Sequence, residues 1–331
     1  MDINEGFEWS HESDAGEFTY PLADRAALRA HYLDQGYVVV RGAVPRELCA
    51  RAVAAFEREV KPSRAYFKRH ASSDFERHVF TDAGFMKYPI MNIQDLPGDR
   101  FGGFRDGGLE VLTHGSVREV VAALLGEPAR MIHTMYFDGN QKTWAHRDSH
   151  YIDAEETGRM LGVWVAAEDI DPGAGRFYVY ARSHLTPTPP SLKLDEIDPN
   201  GPEYKQRMAE FAGGSALRLV APALRQGDMI LWSSLAIHGS LATTRPDRSR
   251  RSFTAHYIPC SQIYLWGRRA HGSAQEILVN EVPVTLHGDR PLGAVGGALR
   301  VGERTLIRRA PALFRGMKSI KGALLGKRAR P

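Results

Sequence analysis

The chain reads as mainly β with flanking helices, an antiparallel jelly-roll or related cupin-like barrel. Three observations predict this class. From about residue 85 onward, six short apolar or aromatic runs, MIHTMYF, LGVWVAAE, GRFYVYA, ALRLVAP, DMILWSS and RSFTAHYIP, are strand-like in length and composition and are separated by Gly, Pro and Asp. Ahead of them lie two segments with helical spacing, which places helices outside a β core. The 331 residues, 43% hydrophobic and 25% charged, also have the make-up of a folded chain that buries about 75% of its unfolded surface.

In chain order, residues 23–36 (ADRAALRAHYLDQG) bring Leu28 and Tyr32 to one helical face and stop at Gly36. YVVVRG follows as a short strand. Pro45 then starts a second helix, with Leu48, Ala52 and Phe56 on one side. The segment from Tyr66 to Phe80 and the Pro-rich, then helical excursion at 185–214 are candidate lids, because long loops in compact domains are usually functional. GAVGGALRVG is glycine-rich, but it lacks the preceding strand and following acid of a dinucleotide fingerprint. The expected division is an N-terminal extension over 1–22, a principal domain over 23–262, and a C-terminal extension over 263–331 that ends in a basic tail.

Charge is distributed unevenly. The net +4 splits into +9 over residues 296–331, where ten Lys and Arg face only Glu303, and −5 over the remainder. Within the tail, Leu313, Met317, Ile320 and Leu324 have helical spacing. Docking on the protein's own domain or on a second subunit is the stronger reading, and a lipid-surface helix the weaker, because Gly316 and Gly322 interrupt it. No aromatic interleaving or binding motif accompanies the charge, which argues against nucleic acid. Two unpaired-looking cysteines, an acidic N-terminus without an apolar run, and no run of ~18 apolar residues point to a cytoplasmic protein.

The chemistry concentrates in TWAHRDSHYID, residues 143–153. His-Arg-Asp also occurs in kinase catalytic loops, but position 153 is Asp where an Asn is needed, and the Gly-rich loop and Asp-Phe-Gly are missing. On an extended segment His146 and Asp148 point the same way. His238, 90 residues beyond Asp148 and directly after DMILWSS, offers a third ligand. Two His and one carboxylate make the facial triad of non-haem Fe(II) oxygenases, with open positions for cosubstrate and O2. A zinc hydrolase would accept the same ligands, and two ordinary hydrogen-bonded histidines would need no metal at all.

The wider sequence resembles the phytanoyl-CoA dioxygenase family of Fe(II)/2-oxoglutarate-dependent oxygenases. The likeness runs from LDQGYVVVRGAVPREL to RSFTAHYIP through MIHTMYF, HRDSHYI, VWVAAEDIDPGAGRFYVYARSH and RQGDMILWSSLAIHGS, in the family's order. It implies a double-stranded β-helix with His146, Asp148 and His238 as iron ligands, and oxidation of a small molecule by O2 coupled to conversion of 2-oxoglutarate to succinate and CO2. Because related halogenases replace the carboxylate ligand with a small residue, Asp148 favours hydroxylation, desaturation or ring closure. Two positions depart from the family's pattern: ARSH (Ala181–His184) stands where Pro-Gly-Ser-His is usual, and HGSLATTRPDRSRR lacks an Asn common after the distal histidine.

A dicarboxylate cosubstrate calls for an arginine clamp, since the guanidinium fork meets a carboxylate bidentately. Counting back from His256 and Tyr257, where the family's pattern anchors, selects Arg250. Strand parity leaves the choice open: Arg250 shares a face with Ser252, Thr254 and His256, and Arg251 shares one with Phe253, Ala255 and Tyr257. Ser240 and Met135 resemble positions that contact 2-oxoglutarate, and Trp164 resembles an aromatic beside the site; for Met135 and Trp164, core packing is the competing explanation. His150 and Tyr151, next to the ligand pair, are candidate substrate contacts or packing residues. A catalytically silent ligand-binding relative is the alternative to an enzyme.

Overall fold

The computed structural model describes residues 17–70, 72–192, 197–267, 269–270 and 275–309. The basic tail beyond residue 309, with Leu313 to Leu324, lies outside these residues. The first helix is Arg25–Gln35. Asp24 caps it by accepting the Ala27 amide at 2.9 Å, and it ends on Gly36 at φ 80°, a left-handed conformation open to glycine at little cost. The second helix, Arg46–Ala55, runs into a π-helical turn at Phe56–Val60. Pro45 sits at its N-cap, one position before the expected start. Leu48, Ala52 and Phe56 are all buried, as their shared face requires.

Five of the six strand-like runs form strands of three or more residues: Ala129–Phe137, Leu161–Ala166, Phe177–Tyr180, Met229–Ser233 and Ser252–Pro259. The sixth, ALRLVAP, pairs only over Leu219–Val220, because Pro222 cannot donate to a ladder. These six strands fall into two sheets. In the larger, Tyr37–Arg41, Met229–Ser233, Leu161–Ala166, Ser252–Pro259 and Ala129–Phe137 lie side by side. In the smaller, Phe177–Tyr180 lies between Leu219–Val220 and His238–Ser240. The main sheet continues past residue 262, since Val282–Thr285 pairs with Ala129–Phe137 and Glu276–Val279 pairs with Val282–Thr285. Tyr264–Trp266 pairs with Ile152–Ala154.

This is the double-stranded β-helix arrangement, with its two sheets facing each other and helices on the outside of the larger one. The strand Ser252–Pro259 shows how the layers separate. Phe253, Ala255 and Tyr257 belong to the apolar cluster shared with Phe56, Phe104, Leu112 and Val120 of the helical layer. Ser252, Thr254 and His256 therefore face inward, and Thr254 and His256 line the cavity between the sheets. Parity thus assigns Arg250 to the inside and Arg251 to the outside. Among the described residues no helix is long and apolar enough to cross a membrane.

Candidate metal centre and its pocket

His146 and His238 are brought together by backbone pairing. They form an isolated antiparallel bridge with reciprocal N–H to O bonds of 3.0 Å, so the ring centroids stand 4.3 Å apart. Asp148, two residues on, opens a single 3-10 turn, Asp148–His150. One ligand atom from each of His146, Asp148 and His238 lies within 4.8 Å of the others, and all three residues are buried.

The hydrogen bonds around these side chains select which atoms point inward. His146 Nδ1 donates to the Trp144 carbonyl at 2.9 Å and His238 Nδ1 to the Ala236 carbonyl at 3.0 Å. Each ring is thereby held with Nε2 toward Asp148 Oδ1, at 3.5 Å in both cases. The other carboxylate oxygen, Oδ2, accepts from Trp232 Nε1 at 2.8 Å and from His256 Nε2 at 3.2 Å. One oxygen and two nitrogens are left to converge. Burial opposes ionisation of Asp148, but the imidazoles of His238 and His256 outweigh it and hold the carboxyl well below its ordinary range. Burial, and then the neighbouring His238, lowers the His146 pKa and keeps its imidazole neutral. Neutral imidazole and ionised carboxylate are the forms that ligate a metal. The two His and one carboxylate, oriented by these outer contacts, fit a non-haem Fe(II) centre.

The triad opens onto a cavity of about 280 Å³ between the sheets. Six further residues singled out in the sequence also line it, Met135, His150, Tyr151, Trp164, Ser240 and Arg250, whereas Arg251 does not. Arg250 is 3% exposed. Its guanidinium donates to the carbonyl of Gly175 and, at 3.0 Å, to that of Gln141, while Nε has no partner. Burial alone pushes its pKa down to about 10, and among the described residues no carboxylate pairs with it. Arg251, on the opposite face, is fully occupied by Asp138 at 3.0 Å, Glu57 and Glu168. The Ser240 hydroxyl accepts the Thr143 amide at 2.8 Å. Trp164 and Met135 flank Thr254 on the neighbouring strands.

Several contributors carry no local signal in the sequence. Trp232 and His256 touch Asp148 from two other strands. His70, within the first candidate lid, reaches the cavity, as do His133, Pro199, Asn200 and Trp266. The second candidate lid is tied to the ligand segment at several points. Arg147 donates to Thr188 Oγ1 at 3.0 Å and to the carbonyls of Ser183 and Thr186. His150 Nδ1 meets the Tyr204 hydroxyl at 2.6 Å, and the Tyr151 hydroxyl donates to the Pro199 carbonyl at 2.7 Å. Lys205 lies 3.7 Å above the Trp144 ring.

Fold and ligand set together define a double-stranded β-helix protein with a buried two-His, one-carboxylate site. Residues 32–252 match the phytanoyl-CoA dioxygenase (PhyH) family model, and the chain belongs to that family of Fe(II)/2-oxoglutarate-dependent non-haem iron oxygenases. Solved structures share the fold. The epimerase SnoN in complex with Fe3+, alpha ketoglutarate and nogalamycin RO is 20% identical with a TM-score of 0.56, covering 81% of this chain and 98% of that chain. EctD from S. alaskensis with 2-oxoglutarate and 5-hydroxyectoine is 16% identical with a TM-score of 0.53, covering 84% of this chain and 91% of that chain. The carbocyclase SnoK from nogalamycin biosynthesis is 16% identical with a TM-score of 0.52, covering 72% of this chain and 85% of that chain.

Proposed function

We propose that His146, Asp148 and His238 hold Fe(II), that Arg250 holds the distal carboxylate of 2-oxoglutarate, and that the enzyme oxidises a small-molecule substrate with O2. The observation that carries this reading is the buried Arg250 guanidinium. A cation removed from water without a counter-charge costs several kcal/mol, and this one faces the same cavity as the triad. A dicarboxylate spanning the two would satisfy both. Bound iron would supply activation of O2 coupled to conversion of 2-oxoglutarate to succinate and CO2. The chain's own residues position and shield. Ser240 and the Arg250 fork orient the distal carboxylate, while Met135 and Trp164 form dry walls beside it and strengthen the ion pair by excluding water. Trp232 and His256 keep Asp148 Oδ2 engaged, so that Oδ1 alone is offered to the metal. His150 and Tyr151 stand next to the ligands on the substrate side.

The catalytic unit in this reading reaches beyond 23–262, since Trp266 lines the cavity and Val282–Thr285 joins the main sheet, and the excursion at 185–214 is part of its wall. Free cysteines at 49 and 260 suit a reducing, cytoplasmic setting. Anaerobic addition of Fe(II) and then 2-oxoglutarate should produce the weak visible metal-to-ligand charge-transfer band, followed by succinate release in air. Failure of the wild-type protein to give the band at saturating iron and 2-oxoglutarate would overturn the assignment.

A further inference from the structure

Resting on that reading, we infer that the substrate is a largely apolar small molecule with one carboxylate, and that Lys205 receives this carboxylate at the mouth of the cavity. Ser73, Asn200 and Trp266 line the cavity and are exposed, which marks where it opens. Lys205 lies five residues beyond Asn200, on the helix Pro202–Gly213 of the Pro-rich excursion. Its Nζ stands 3.7 Å from the centre of the Trp144 ring. Trp144 lines the cavity, and its ring centroid is 6.1 Å from that of His146. The ammonium is thus within about 10 Å of the His146 ring, inside the reach of a small molecule that touches both the metal site and the mouth. Burial pushes the pKa of His70, another lining residue, down to about 4, and the charge of Lys205 adds to that shift.

The acids nearest in the chain are already engaged. Glu203 pairs with Arg207 at 2.6 Å, and Asp198 Oδ1 accepts the Asn200 amide at 3.0 Å. Among the described residues no carboxylate pairs with Lys205, although it is half-buried. The indole face attracts one side of the ammonium. An ammonium has three donors on a flexible stem, so others remain for a ligand.

Charge balance at the loaded centre explains why a separate cation is needed. The two positive charges of Fe(II) and the one on Arg250 are matched by Asp148 and the two carboxylates of 2-oxoglutarate. A substrate anion entering beside that neutral set has to bring or find its own partner, because an unpaired charge among aromatic rings is costly. One lysine matches one carboxylate, whereas a phosphate monoester carries close to two charges. Met91, Ile152, Phe177 and Trp266 give the remainder of the substrate an apolar surface.

The test uses full-length protein loaded with Zn(II) and saturating 2-oxoglutarate, which cannot turn over and keeps Arg250 occupied. Calorimetry then compares 3-phenylpropionate, its neutral amide 3-phenylpropanamide, and the cation 3-phenylpropylamine. The wild type should bind the acid about tenfold more tightly than the amide, the effect of one hydrogen bond to a charged group, and the amine most weakly. Lys205→Met should bring the acid down to the level of the amide, Lys205→Arg should keep the preference, and Lys205→Glu should turn it toward the amine. Equal binding of acid and amide by the wild type overturns the carboxylate assignment. A preference for the acid that Lys205→Met leaves unchanged overturns the role of Lys205, and no binding of any probe by protein that takes up 2-oxoglutarate overturns the substrate class. Failure of the wild type to take up 2-oxoglutarate would strike the cosubstrate reading instead, and the difference between wild type and Lys205→Met toward the acid would still read the lysine contact.

Discussion

Arg250 and Arg251 are adjacent and equally charged, and replacing each by Met separates a ligand clamp from a structural ion pair. Arg250 is buried, donates to two carbonyls and, among the described residues, has no acid paired with it. Removing one partner of a buried, hydrogen-bonded ion pair costs about 3–5 kcal/mol. At about 1.4 kcal/mol per factor of ten, Arg250→Met should raise the 2-oxoglutarate concentration needed for half-maximal succinate release by roughly 10²- to 10³-fold. Its effect on the stability of the metal-free protein should be small, because relief of an unpaired buried cation offsets the loss of two carbonyl contacts. Arg251→Met has the opposite profile. It strands Asp138, whose side chain is fully buried, and should lower stability by about 3 kcal/mol with little change in 2-oxoglutarate requirement. Succinate assays across 2-oxoglutarate concentrations and urea melts of the metal-free variants read the two effects apart. A larger shift in 2-oxoglutarate requirement for Arg251→Met than for Arg250→Met would refute the assignment of the inner and outer faces.

Asp148→Ala should abolish succinate release and remove the rise in melting temperature caused by Zn(II) with 2-oxoglutarate; in the wild type ligand at 100 times its dissociation constant stabilises by about 2.7 kcal/mol. A variant that kept the thermal shift in calorimetry would exclude Asp148 as a ligand. Trp232→Phe deletes the 2.8 Å bond to Asp148 Oδ2 and should weaken metal binding about 10- to 100-fold, the usual range for contacts that orient a ligand; unchanged affinity in a metal titration would show the indole to be packing alone. Gly162→Ala should have a related effect from behind, since a Cβ there would stand 2.3 Å from the Trp232 ring. The displaced indole should cost about 1–3 kcal/mol of stability and lower metal affinity, measurable by denaturant melts and the same titration.

The parts of the site legible in the sequence were those with a local chemical signature. His146 and Asp148 sit two residues apart, and His238 follows a strand-like run, so spacing made the three candidates, and the resemblance to the phytanoyl-CoA dioxygenase family made them an iron-ligand set. Arg250 could not be separated from Arg251 by parity alone, because either face of a strand can line a barrel. The helices decide it, by covering Phe253, Ala255 and Tyr257; the alternation of Ser, Thr and His against Phe, Ala and Tyr carried that information once an apolar outer layer was known. Trp232, His256 and His133 were not legible, because what matters about them is a distance across the barrel to residues more than 80 or 100 positions away. ALRLVAP had strand composition, but Pro222 and the surrounding loop limited its pairing to two residues.

The ligand segment and the Pro-rich excursion are stitched together by Arg147, His150 and Tyr151, each placed within three residues of a metal ligand and each bonded to the excursion. Changes that reshape the excursion to admit a different substrate would also pull on the turn that aims Asp148. Variation of specificity in this chain is therefore mechanically linked to upkeep of the ligand geometry, and successful redesign of the substrate end would have to preserve Thr188, Pro199 and Tyr204 as anchors or replace them with contacts of equal reach.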